Sequence, residues 1–141
     1  MTPVDAEDFI AKVTAWAQGD SRVAAAGVCG SHARGEARPD SDVDLCILTA
    51  APGSLLEERS WVHGFGADAR IAKPVEDYGL VQAIRVFYGS LEVEFGITAE
   101  AWAQIPIDEG TAGVINDGLW ILYDPDGRLA AAKVFAAKML G

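Results

Sequence analysis

The chain has 141 residues, half of them hydrophobic, enough for one domain that buries about two thirds of the surface its unfolded form exposes. Its 21 carboxylates against 11 Lys and Arg give a net charge of −10, which argues against the basic stripe that general DNA and RNA binders use to neutralise phosphate. No run of eighteen apolar residues occurs and the acidic residues 1–9 lack the layout of a secretory signal, so neither membrane span nor export is expected, and the address is cytoplasmic.

In chain order, residues 5–18 carry Phe9, Ile10, Val13, Trp16 and Ala17 at helical spacing, with Gly19 as a stop. The apolar run 22–29 ends at Gly30 and reads as a buried strand; a polar segment spans 31–41, and 43–48 is a second strand. Residues 54–63 are expected to form a short helix, with Ser54 as cap and Glu57 as its partner. A loop follows over 67–77, broken by Pro74. Strands at 80–87 and 91–97 flank Gly89-Ser90, a hairpin turn, and a helical turn is expected over 98–104. Strand segments 113–115 and 119–123 are read as a second hairpin about Asp117-Gly118. An Ala-rich helix over 126–140 follows, with Asp124 or Asp126 as its cap. The expected class is α+β (α/β): a small mixed sheet flanked by helices.

Only two cysteines occur, Cys29 and Cys46, each in a strand-like run. With no Cys-x-x-Cys and no His at ligand spacing, zinc is not expected and two reduced core thiols are. Trp16, Trp61, Trp102 and Trp120 are expected to anchor the core or a subunit interface.

The chemistry concentrates in residues 30–45. At the head of a strand, Asp42 and Asp44 point to one face, about 6.6 Å apart along the backbone, and can share Mg²⁺. Gly30-Ser31 lies where a strand turns into a helix. There glycine lets a phosphate approach the backbone while the Ser31 hydroxyl and free N–H groups bind its oxygens. Arg34, one turn on, can reach the same phosphates as a fixed cation; the alternative is an exposed helix residue. His32 is read as solvated, and Lys73 and Arg85 as exposed or paired with carboxylates. In 91–95, alternation puts Leu91, Val93 and Phe95 on one face and Glu92 and Glu94 on the other. A glutamate there can bring a third carboxylate to the metal or serve as general base for an acceptor hydroxyl; Glu92 is assigned to solvent.

Gly-Ser, ten residues, then Asp-x-Asp resembles the signature of the DNA polymerase β-like nucleotidyltransferase superfamily, and Gly35, Ser41 and Leu45 also fall at its usual places. Trp61, Phe65-Gly66, Lys73-Pro74, the 92–95 segment, 121–124 and Asp126-Gly127 are similar in order and type to the N-terminal domain of streptomycin (aminoglycoside) adenylyltransferases. The resemblance implies a nucleotidyltransferase fold, with Gly30, Ser31, Arg34 and Ser41 on the nucleotide and Asp42 and Asp44 on magnesium. Glu94 rather than Glu92 takes the third carboxylate place, where aspartate is commoner. The implied activity is transfer of NMP, AMP from ATP above all, to a hydroxyl on a small molecule or protein, with release of pyrophosphate.

Residues 1–141 are expected to form a single domain without the further helical domain that builds the antibiotic site in those relatives. A homodimer or a helical partner protein would complete it. The alternative is an antitoxin-like domain that modifies or masks such a partner.

Overall fold

The computed structural model describes residues 6–38, 41–72 and 75–140. Among them seven strands form one sheet: β1 (Ala25–Cys29), β2 (Val43–Thr49), β3 (Arg70–Ile71), β4 (Glu76–Asp77), β5 (Val81–Tyr88), β6 (Leu91–Ala99) and β7 (Leu119–Tyr123). The order is β3-β5-β6-β2-β1-β7, with β4 beside β3 on the outer edge of β5. β2 and β6 run parallel and the other pairs antiparallel, the mixed sheet expected. Four helices cover it: α1 (Ala6–Gly19), α2 (Pro52–Glu57), α3 (Glu109–Asp117) and α4 (Arg128–Leu140). No described helix is long and apolar enough to cross a membrane.

Alternation along the strands sends two sets of side chains to opposite faces. One set, including Val43, Leu45, Ile47, Val93, Phe95 and Ile97, packs against α1, through Phe9, Ile10 and Val13, and against Leu55, Trp61 and Phe65. Aromatic rings dominate this layer. Trp16 stacks on Trp61 at 5.0 Å, and Trp61 meets Phe95 edge-on at 5.0 Å. Each indole also finds an acceptor, Asp20 for Trp16 and the Leu55 carbonyl for Trp61, as amphipathic rings require when buried. The other face, with Ala25, Cys46 and Leu48, is covered by Trp102, α3 and α4. Three of the tryptophans thus join packed layers, whereas Trp120 is exposed.

Several boundaries depart from the sequence expectation. The hairpin about Asp117-Gly118 is not formed: residues 109–117 are helix α3. Asp108 caps it, accepting from the Thr111 N–H at 2.9 Å and the Thr111 hydroxyl at 2.8 Å, and Ala112 and Ile115 bury its inner face. Gly118, at φ 145°, ends the helix, so the turn signal was a helix stop. The 54–63 helix is in fact α2 followed by a 3₁₀ turn at Ser60–Gly64; Pro52, already at the helix start, replaces Ser54 as the entry. The 67–77 loop contributes β3 and β4, each two residues long. Ahead of α4, Asp124 is the cap, accepting from the Leu129 and Ala130 N–H groups.

Candidate active site

At one end of the sheet, pairing aligns four side chains in a row on the α3 face. Cys29 of β1 pairs with Asp44 of β2, Asp44 with Glu94 of β6, and Glu94 with Arg85 of β5. Parallel pairing thus sets Asp44 and Glu94 side by side, and Asp42, two residues before Asp44, belongs to the same face. Among the described residues no three His, Cys, Asp or Glu side chains form a ready-made metal-ligand set. The tight pair is Asp44 with Glu94, with Asp42 flanking it.

Burial, the neighbouring Asp42 and Glu94 charges and a hydrogen bond shared with Glu94 push the Asp44 carboxyl up to about 7, against a smaller opposing pull from Arg85. One oxygen, Asp44 Oδ1, is buried without a hydrogen-bond partner. Two adjacent carboxylates that repel each other, one with an orphaned oxygen, suit a hard divalent cation. Mg²⁺ takes one or two carboxylates and completes its shell with water and phosphate oxygens.

Where the strand was expected to turn into a helix, Gly30 begins a single 3₁₀ turn, Gly30–His32. Its φ is +76°, and a Cβ there would sit 3.0 Å from Asp44 Oδ2. Only glycine allows this turn to lie against the carboxylate. Ser31 follows directly and is half-buried, and the His32 Nε2, with Asp44 Oδ1, is one of two buried polar side-chain atoms without a partner among the described residues.

Other expected site residues are engaged elsewhere. Arg34 donates to the Asp117 carboxylate at 2.9 Å and to the Asp117 carbonyl at 3.1 Å, tying the turn to the end of α3. Both of those bonds use Nη1, and Nε lies 3.6 Å from Glu36. Ser41 Oγ accepts from the Arg38 N–H at 2.8 Å and closes the loop ahead of β2. Glu92 is not simply solvated, for it pairs with Arg85 at 2.8 Å. Arg85 also reaches Glu76 at 3.1 Å and Glu94 at 3.9 Å, paired with carboxylates as expected. Its position beside Glu94 was not visible in the sequence, because the β5–β6 register sets it. Lys73 lies outside the described residues. Cys46 is buried and Cys29 half-buried, both free thiols. A hydrogen bond between them holds the Cys29 thiol below its ordinary value and raises Cys46 well above.

These features, a positive-φ glycine turn against an Asp-x-Asp strand, define a class. The family model "Nucleotidyltransferase domain" matches residues 11–91, and the chain belongs to that family. The matched segment contains Gly30, Ser31, Asp42 and Asp44 and ends three residues before Glu94. Among solved structures, an aminoglycoside 6-adenyltransferase from Bacillus subtilis has a similar fold, with a TM-score of 0.54 at 12% identity over 72% of this chain. The chain spans only 37% of that protein's length. No curated protein matches the sequence.

Proposed function

We propose that this chain transfers a nucleoside monophosphate, AMP from ATP above all, to an acceptor hydroxyl with release of pyrophosphate. The observation that carries this is the Gly30 turn pressed against Asp44, which puts the turn's backbone directly beside a carboxylate pair. Asp44 and Asp42, with Glu94 beside them, would hold Mg²⁺, which when bound supplies charge neutralisation to the triphosphate. Gly30 and Ser31 bind the leaving β- and γ-phosphates through backbone N–H groups and the Ser31 hydroxyl. Glu94, only 23% exposed and steadied by Arg85, faces the acceptor side and takes the proton from the attacking hydroxyl. The acceptor oxygen then forms its bond to the α-phosphorus as the bond to the bridging oxygen breaks, and pyrophosphate leaves in line. Such a site works by positioning and charge, so loss of one aspartate is severe.

The test is incubation of the chain with α-labelled NTPs, Mg²⁺ and a host extract of metabolites and proteins. Label acquired by a small molecule or protein, and lost with Asp42→Asn and Asp44→Asn, supports the proposal. Label transfer that both folded variants perform as well as the unaltered chain would defeat it.

A further inference from the structure

Behind the carboxylate row the sheet has a row of small residues: Gly27 of β1, Cys46 of β2, Gly96 of β6 and Ala83 of β5. At Gly27 the missing side chain lets Leu119 close in, to 2.8 Å from where a Cβ would sit; over Cys46 and Gly96 the space stays open. The resulting cavity, about 370 Å³, has Cys46, Gly96 and Thr98 in its floor and Asp44 and Glu94 at its rim. Trp102, Tyr78 and Val114 form its other walls, and a second hollow of about 310 Å³ shares those three residues and continues toward Asp108. A larger hollow of about 630 Å³, beside Glu100, Gln104 and Arg128, includes none of the site carboxylates.

Position across the sheet assigns the cavity a side of the reaction. Gly30 follows β1, Asp44 stands on β2 and Glu94 on β6, so a pyrophosphate held at Gly30-Ser31 departs on the β1 side. An in-line acceptor must then approach from over β6. The cavity reaches from Cys29 at the end of β1, past Asp44 and Glu94, to Val81 on β5, and includes neither Gly30, Ser31 nor Asp42. Its β6–β5 end lies on the acceptor side.

Its chemistry limits the acceptor. Apart from the two carboxylates its polar side-chain groups are few: the Thr98 hydroxyl donates to the Ile47 carbonyl at 3.1 Å and the Tyr78 hydroxyl to Glu76, Trp102 offers one indole N–H, and Cys29 and Cys46 are free thiols. No Lys, Arg, Asn or Gln lines it among the described residues. A polyhydroxylated sugar placed there would leave polar groups unpaired, at a cost of about 1–3 kcal/mol each. An aromatic or aliphatic body meets matching walls, within the about 300–1,000 Å³ typical of small-molecule sites.

Resting on the transferase reading above, we propose that this cavity receives the acceptor, and that the acceptor is an alcohol borne on an apolar, ring-sized body rather than an aminoglycoside. The body sits between Trp102, Val114 and the small-residue floor, with its hydroxyl at Glu94.

The test compares the unaltered chain with Val114→Trp; Val114 is 47% exposed, so the larger ring closes the cavity mouth without entering the core. Two affinities are measured for each protein, for Mg²⁺–ATP and for 2-naphthylmethanol, the latter by backbone amide NMR. The alcohol is expected to shift the Val81, Thr98 and Val114 amides of the unaltered chain, and Val114→Trp to weaken it by about tenfold while ATP affinity changes by less than about twofold. Absence of those shifts, or streptomycin displacing the alcohol, would overturn the proposal. So would an equal loss of ATP affinity in Val114→Trp, since the cavity would then hold the nucleobase. ATP failing to bind the unaltered chain overturns the transferase reading itself, and the acceptor role with it, even where the alcohol binds.

Discussion

Replacing Asp44 by Asn removes the charge that Asp42 and Glu94 oppose, while keeping the shape of the side chain. An amide N–H can also donate to Glu94, as a protonated Asp44 does. In the folded chain the Asp44 carboxyl is pushed up to about 7 from an ordinary 3.8. The native state therefore holds this proton more tightly than the unfolded state does. Its contribution is fully present below about pH 4 and is lost as pH rises through about 7. The gap sets a ceiling of about 4 kcal/mol. Asp44 is only half-buried, and solvent screening brings the expected effect to about 1–2 kcal/mol. Urea unfolding in chelator, from pH 4 to 8, measures it. Asp44→Asn should match the unaltered protein near pH 4 and exceed it by about 1–2 kcal/mol at pH 8. Asp20, held low by Arg22, and Asp108, held low by Thr111, lose their contributions as pH falls below about 4, but they do so in both proteins and cancel in the difference. Parallel curves for the two proteins across this range would refute the argument that burial, together with the Asp42 and Glu94 charges, holds a proton on Asp44.

Two further substitutions separate site from scaffold. Gly30→Ala forces a Cβ to 3.0 Å from Asp44 Oδ2 at a φ of +76°, and should lower stability by about 1 kcal/mol while reducing nucleotide turnover by roughly tenfold or more, measured by pyrophosphate release. Trp61→Phe removes the indole's bond to the Leu55 carbonyl and part of its stacking on Trp16, and should cost about 1.5–3 kcal/mol in urea unfolding with turnover unchanged.

The sequence made the site's residue types legible but not all of its contacts. Gly30, Asp42 and Asp44 sit in a contiguous motif whose strand periodicity alone places the two aspartates on one face. Glu94 was legible as the polar side of an alternating strand. That it stands beside Asp44 depends on parallel β2–β6 pairing, a long-range register no local pattern encodes. Arg34 shows the same limit, because its partner Asp117 is 83 residues away. The missed helix α3 has a local cause: Asp117-Gly118 suits a hairpin as well as a helix stop, and the deciding signal was the Asp108–Thr111 cap upstream. The cavity was hidden because its lining comes from β1, β2, β5 and β6 together with Trp102 and Val114, groups far apart along the chain.

Calorimetric titration of ATP, with and without Mg²⁺, into the unaltered chain, Asp42→Asn and Asp44→Asn tests the central claim most directly. The account predicts binding to the unaltered chain that requires Mg²⁺ and weakens by about tenfold or more in each variant, with both variants still folded. Binding that ignores Mg²⁺, or that both variants retain in full, would contradict it.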